Sequence, residues 1–235
     1  HMSNVTGTLI DFTRIKELRK KYNIPLLVDG CQYVPHKKLD IKDLDPDFYV
    51  FSAHKLYGPS GLGILYIKDK WLELFSPYQG GGSMIKDVEI NKSTYASGFE
   101  KFEAGTPPIA QVIGLSASLD FLNNLDLDVI FKHEMFLHDY MLEKLKSFNE
   151  IDIYGNSKSK GAIISFNIKN AHYNDVALLL DKKNIAIRSG HHCAQPLMKY
   201  LDIKGAARAS FGVYNSQNDV DYFIESLKSI IKILK

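Results

Sequence analysis

Residues 24–68 read IPLLVDGCQYVPHKKLDIKDLDPDFYVFSAHKLYGPSGLGILYIK, and three apolar runs within them decide the fold. Ile24–Asp29 (IPLLVD) is short and almost wholly apolar, the pattern of a fully buried strand. Asp47–Ser52 (DFYVFS) is a second run of this kind. Gly63–Lys68 (GILYIK) is a third, after the turn-rich Gly58–Pro59–Ser60–Gly61. The link between the last two is too short for a helical crossover, so they are predicted to run antiparallel if adjacent. Ahead of them, Ile15–Tyr22 (IKELRKKY) reads as an amphipathic helix with a basic face. This alternation predicts an α/β sheet with one antiparallel member.

Further along, Gly80–Gly81–Gly82 marks a loop and Ala104–Gly105–Thr106–Pro107–Pro108 a stop. The pattern then changes. Ile109–Leu125 reads as a helix with small residues (Gly114, Ala117, Ser118) on one side, and Leu127–Phe148 as a second helix. There follow a strand at Ile151–Tyr154, a strand at Ala162–Asn167, a helix at Asp175–Lys182, and strands at Ile185–Arg188 and Ala207–Val213. Gln217–Leu234 closes the chain as a helix, announced by Ser216 with Asp219 three residues later, a capping-box spacing. We expect two domains, an α/β one over 1–107 and an α+β one over 108–235.

The 235 residues, 45% hydrophobic and 24% charged, supply a sizeable core and do not suit global disorder. Twenty-nine basic against 27 acidic side chains argue against a dedicated nucleic-acid binder. No apolar run approaches the roughly 18–20 residues of a membrane span, and the start, His1–Met2–Ser3–Asn4, has no signal-peptide pattern. Two cysteines, Cys31 and Cys193, are too few for a disulfide scaffold, so a reducing compartment is expected.

Three clusters carry chemistry. In Val28–Asp29–Gly30–Cys31–Gln32 a carboxylate stands at the carboxyl end of a strand, the edge where open α/β sheets bind ligands. A cap on the following turn is the plainer reading of Asp29. Ser52–Ala53–His54–Lys55 also follows a strand. Lys55 is therefore either a solvated amine or a Schiff-base amine opposite Asp29, the pair that pyridoxal phosphate (PLP) chemistry needs, with Ser52 and His54 as phosphate donors. Arg188–Ser189–Gly190–His191–His192–Cys193 reads as an exposed loop after a strand. A metal site lacks a second ligand group at zinc-like spacing. A buried inert thiol conflicts with the polar neighbours. A reactive thiolate, favoured by Arg188, His191 and His192, fits best.

Taken together and in order, VDGCQ, SAHKLYGPSGLGILY, FEAGTP, RSGHHCAQPLM and RASFGVYN resemble the cysteine desulfurases of the class V aminotransferase superfamily. RSGHHCA is similar to the group II, SufS-type branch, which overlaps with the selenocysteine lyases. The resemblance implies a PLP-dependent transferase of fold type I: a partial large domain with a mostly parallel sheet, and an α+β small domain bearing the cysteine loop.

It also implies roles. Lys55 matches the Schiff-base lysine, Asp29 the partner of the pyridine nitrogen, and Gln32 the residue bonded to the phenolic oxygen of PLP. Ser52 and His54 match phosphate ligands. Asn4 matches an asparagine near cofactor and substrate carboxylate, and Arg208 the arginine that holds that carboxylate, with Arg188 beside it. Gly105 and Thr106 match a segment that reaches the phosphate of the other subunit, which implies a homodimer. Cys193 matches the nucleophile that accepts sulfur from L-cysteine, and L-selenocysteine is the other substrate the resemblance allows. Cys31 stands where many relatives have alanine and reads as a packing residue. The persulfide would pass to an acceptor of the SufE or SufU type for iron–sulfur cluster assembly, in a bacterial cytoplasm or an organelle matrix or stroma. Family members carry a further portion ahead of the segment matching SNVTGT, with a ring-stacking histidine and a second phosphate loop. The chain therefore resembles the C-terminal part of such an enzyme, and is expected to be inactive alone. Other readings are a selenocysteine lyase, another class V PLP enzyme, or a non-catalytic fragment.

Overall fold

A computed structural model describes residues 1–234 as two compact units, one of His1 with residues 11–125, the other of residues 2–10 and 126 onward. In the first unit, helix α1 (Phe12–Tyr22) starts where the Asp11 side chain accepts the Thr13 N–H. It ends at Asn23, in the left-handed conformation, with Arg19, Lys20 and Lys21 in its last turn, where cations suit the helix dipole. Strand β1 (Leu27–Asp29) follows, then the single turn α2 (Ile41–Leu44) and strand β2 (Phe48–Ser52). β1 and β2 pair in parallel, Asp29 opposite Val50. Strand β3 (Gly63–Ile67) pairs antiparallel with β2, Ser52 opposite Gly63, as the short link requires. Of the two pairings one is parallel, so the sheet is mixed.

The expected strand over Ile24–Asp29 is shorter than its apolar run and not wholly buried. Leu26 donates its N–H to the Asp47 carboxylate instead of joining a ladder, and Pro25 has no N–H to give. As an edge strand, β1 buries only Val28. Asp47 is the hub here. Its carboxylate meets Arg19 (2.7 Å), Lys70 (3.0 Å), the Trp71 indole N–H (2.8 Å) and the Leu26 N–H (2.9 Å). Lys70 and Trp71 come from helix α3 (Asp69–Leu72), so one buried carboxylate, just ahead of β2, ties α1 and α3 to the residue that leads into β1.

A hairpin of β4 (Ile85–Val88) and β5 (Ser93–Tyr95) and the long helix α4 (Ile109–Leu125) complete the unit. The small residues of α4 act as expected. A Cβ on Gly114 would lie 3.1 Å from the Pro59 ring, and Ser118 is buried. Tyr57 and Phe121 add an edge-on ring pair. These contacts explain why the units differ from the expected division at 107/108: α4 belongs with the first.

The second unit is a four-stranded antiparallel sheet in the order β6-β7-β9-β8, from β6 (Ile151–Tyr154), β7 (Ile163–Ile168), β8 (Arg188–Gly190) and β9 (Ala206–Ser210). Helices α5 (Leu127–Lys146), α6 (Tyr173–Asp181) and α8 (Gln217–Leu234) cover it, and α7 (Gln195–Tyr200) follows β8. Val220, Phe223, Ile224, Leu227, Ile230 and Ile231 recur at helical spacing on α8 and bury against Phe166, Leu137 and Met141. The capping box forms: Ser216 N–H donates to Asp219 (2.8 Å), and Asp219 N–H returns to Ser216 Oγ (3.4 Å). The N-terminal stretch joins this unit through Ser165 Oγ–H, which donates to Val5 O (2.6 Å). Among the described residues no helix is long and apolar enough to cross a membrane.

The strand expected at Ile185–Arg188 lies later, at Arg188–Gly190. Ile185 N–H closes the end of α6 on Leu180 O, so the ladder begins only where Arg188 meets Arg208.

Candidate active site

Two clusters of the expected residues are present, one in each unit. In the first unit, β1 and β2 run parallel and in register, so Asp29 and Ser52 both leave their strands at the carboxyl edge. Gly30 makes the exit possible, since a Cβ there would lie 2.1 Å from the hydroxyl of the buried Tyr49. The Asp29 carboxylate accepts the Cys31 N–H (2.9 Å), so it does cap the following turn. Partial desolvation by its neighbours pushes this carboxyl up. The hydrogen bonds from Cys31 and the charges of the His1 amino group and Lys55 outweigh this and hold it below its ordinary value. Asp29 is thus an anion that senses Lys55.

Beyond Ser52 a single 3₁₀ turn, Ala53–Lys55, is locked by Ala53 N–H on Leu62 O (3.0 Å) and by Leu56 and Gly58 N–H on Ala53 O (both 2.9 Å). It leaves His54 and Lys55 exposed. Ser52 Oγ lies 3.8 Å from Cys31 Sγ, and Cys31 and Gln32 are half-buried in the turn after β1. The donor set at this edge is an amine, an ionised carboxylate, a hydroxyl, an imidazole and an amide. Gly105 has φ +85°, a glycine conformation, and its N–H donates to Gly82 O (2.8 Å), joining the segment that carries Thr106 to the triple-glycine loop.

In the second unit Arg188 and Arg208 face each other across β8 and β9. Arg208 Nη1 donates to Asn4 O (2.7 Å), and its Nε is buried with no hydrogen-bond acceptor. Burial, then the Arg188 charge, lower its pKa. A guanidinium in this state calls for an anion. Arg188 Nη2 donates to the exposed Cys193 thiol (3.3 Å). The loop after β8 lines a cavity of about 480 Å³ with Arg188, His191, His192 and Cys193.

Of the three groups expected to help the thiol, Arg188 hydrogen-bonds it, and neither His191 nor His192 does. The His192 ring is buried, with Nε2 2.9 Å from Ala206 O. A carbonyl only accepts, so Nε2 carries the proton and is committed. Burial lowers the pKa of His192 despite that bond, and the Arg208, Arg188 and His191 charges lower it further. It is a neutral strut, not a charge. Sequence reasoning also missed Tyr49, for which the only local signal is an aromatic residue in a strand next to the one ending in Asp–Gly.

Comparison with known proteins matches residues 1–223 to the Aminotransferase class-V family. A probable cysteine desulfurase of Halalkalibacterium halodurans is 46% identical over 228 residues, 97% of this chain and 56% of that protein. A cysteine desulfurase of Salmonella agona is 43% identical over 235 residues, 100% of this chain and 58% of its own length. Among solved structures, the cysteine desulfurase CsdA of Escherichia coli superposes with a TM-score of 0.95 at 37% identity, covering 100% of this chain and 58% of that one. The cysteine desulfurase of Thermococcus onnurineus superposes with a TM-score of 0.94, also at 37% identity, over 99% of this chain and 58% of that one. The chain thus spans rather more than half the length of the relatives it matches. With a family match over nearly all its residues and the fold type I architecture of these desulfurases, the chain belongs to the class-V aminotransferase family.

Proposed function

We propose that this chain is the part of a group II, SufS-type cysteine desulfurase that carries the PLP lysine and the sulfur-accepting thiol. One observation carries the choice of desulfurase over plain aminotransferase: the exposed Cys193 thiol beside the Arg188 guanidinium. Transamination has no use for a thiol there. The first-unit donor set fits PLP: Lys55 for its aldehyde carbon, the Asp29 anion for its ring nitrogen, Gln32 for its phenolic oxygen, and Ser52 and His54 for its phosphate. When bound, PLP supplies an electron sink for the carbon skeleton of the substrate.

The chain's own residues do the rest. Arg208 pairs with the substrate carboxylate, satisfying its orphaned Nε, with Asn4 and Arg188 beside it. Lys55 moves protons. The Cys193 thiolate attacks the sulfur of L-cysteine. A sulfur–sulfur bond forms as the carbon–sulfur bond breaks, and the carbon keeps that electron pair and gains a proton. The sum is L-cysteine plus Cys193–SH giving L-alanine plus Cys193–S–SH. Selenocysteine would follow the same route with selenium. Exposure suits the persulfide to collection by an acceptor protein of the SufE or SufU type for iron–sulfur cluster assembly. Gly105 and Thr106 are proposed to serve the phosphate of a second subunit, in a homodimer acting in a cytoplasm, matrix or stroma. The isolated chain is expected not to turn over, because Asp29 and Lys55 stand exposed where chemistry of this kind needs water excluded.

The test is a chimera in which the Halalkalibacterium halodurans relative supplies the length this chain does not span. With PLP and L-cysteine, intact-mass and peptide mapping should show one added sulfur on Cys193 and equimolar alanine. Sulfur on Cys31, or cysteine consumed with sulfur on neither thiol, would overturn the assignment.

A further inference from the structure

The Cys193 loop is held in a conformation its residues do not favour. Ala194 N–H donates to His191 O (2.9 Å), closing a four-residue turn. Its two central residues, His192 (φ +55°) and Cys193 (φ +58°), both lie in the left-handed region. Turns with two positive φ values are the mirror-image kind that glycine, asparagine and aspartate dominate, and neither residue here is one of these. A side chain there is strained, so the surroundings must over-determine the turn.

Two contacts do so. The buried His192 ring donates Nε2–H to Ala206 O on β9 (2.9 Å). The His192 carbonyl accepts Asn4 Nδ2–H (2.6 Å). Ring and carbonyl of one residue are thus both fixed, and the next residue along is the thiol facing Arg188. The other ring nitrogen, Nδ1, is buried without a hydrogen bond, which leaves a protonated ring no partner for a second N–H. A packing histidine would be satisfied by its volume alone. This one depends on a single donor in a single tautomer.

We propose that His192 is a positioning residue: its neutral ring, bonded through Nε2–H to Ala206 O, holds the strained turn that keeps the Cys193 thiol against Arg188. This rests on Cys193 being the sulfur acceptor, but its test needs neither cofactor nor substrate. A failed persulfide assay and a failed clamp are therefore told apart.

The experiment uses the 235-residue chain and iodoacetamide, with labelling of Cys193 and Cys31 followed separately by peptide mapping. Thiolate reactivity follows the groups that stabilise the anion. His192→Phe keeps the ring volume and loses the donor, so Cys193 alkylation at neutral pH should fall about tenfold, the loss of one charge-assisted hydrogen bond. Cys31, in the other unit, should label at an unchanged rate. His192→Gln restores a donor near the Nε2 position and should recover most of the rate. An unchanged Cys193 rate in the Phe variant, or a Gln variant as slow as Phe, would refute the clamp. The wild-type chain gives a second reading that survives any folding defect in the variants. Nitrogen NMR should show His192 as the Nε2–H tautomer and uncharged across about pH 6–8. An Nδ1–H tautomer, or protonation at an ordinary histidine pH, overturns the proposal.

Discussion

Replacing Asp47 by alanine should destabilise the first unit more than any other single charge deletion in it. The carboxylate is buried and takes four donors: Arg19 at 2.7 Å, Lys70 at 3.0 Å, the Trp71 indole at 2.8 Å and the Leu26 amide at 2.9 Å. Breaking a buried pair by removing one partner costs about 3–5 kcal/mol. The lower end applies here. The cavity beside it, about 560 Å³, is lined by Arg19 and Lys70, so water can reach both cations once the anion is gone. The Leu26 and Trp71 N–H groups fare worse, being left without their acceptor. We expect a loss of about 3 kcal/mol, a large share of the 5–15 kcal/mol that holds a domain together.

The control is Asp45→Ala. Asp45 also pairs with Arg19 and with Lys68, but it is exposed, and its loss should cost less than about 1 kcal/mol. Urea unfolding of the two variants, followed by the fluorescence of the lone tryptophan, measures the difference. The pH dependence adds a check. Burial pushes the Asp47 carboxyl up, yet the Trp71, Leu26 and Lys70 hydrogen bonds and the Arg19 charge outweigh it and hold it well below the carboxylate range. A depressed folded pKa means the stabilisation is complete above the unfolded value, about 4, and is lost as pH falls below it. Wild type and Asp47→Ala should therefore converge in acid. Equal destabilisation by the two aspartate variants, or a gap that persists in acid, would refute the hub.

Other outcomes follow from the same geometry. Borohydride reduction of the chimera with PLP should fix the cofactor on Lys55, and Lys55→Ala should abolish the label; a label that survives in the variant would show the wrong lysine. Asp29→Asn in the chimera should cut turnover by orders of magnitude while leaving the urea midpoint nearly unmoved, because a neutral amide cannot hold the ring nitrogen protonated; an unchanged rate would remove Asp29 from the site. Gly30→Ala should destabilise the first unit by about 1–3 kcal/mol, since its Cβ would meet the Tyr49 hydroxyl at 2.1 Å, and its urea midpoint measures this.

Much of the fold was legible because its signals are local. The bounds of α4, β6 and α8 coincide with the apolar periods read from the chain, and the Ser216–Asp219 box that starts α8 needs only four consecutive residues. The elements that escaped reading lack such signals. The β4–β5 hairpin is largely exposed and polar, so it has no alternation to show. Helices α2, α3 and α7 are too short to stand without tertiary contacts. β1 lost its first three residues because Ile24 N–H closes on Arg19 O, Pro25 has no N–H, and Leu26 N–H goes to the Asp47 carboxylate, a partner 21 residues further along. The apolar residues of α4 announce burial but not by what: Leu115 and Leu122 are buried, whereas Ile109, Val112 and Ile113 remain exposed.

The candidate site divides along the same line. Which polar groups gather at the sheet edge could be read, because a strand that ends in aspartate, or in serine before Ala–His–Lys, sets such groups there whatever lies elsewhere. What each group is committed to could not. Asn4 reaches His192 across 188 residues and Arg208 reaches Asn4 across 204, so both bonds depend on the N-terminal stretch joining a sheet built much later in the chain. His192 shows the consequence. Beside Cys193 in sequence, it reads as a source of charge for the thiol. The fold turns its ring inward, spends its only proton on Ala206 O and buries the other nitrogen, so the same proximity acts through the backbone instead. Asp29 shows the converse. Its cap on Cys31 N–H looked like the rival of a catalytic role, yet that bond helps keep the carboxylate ionised, so capping and the proposed pairing with a ring nitrogen call for the same anion.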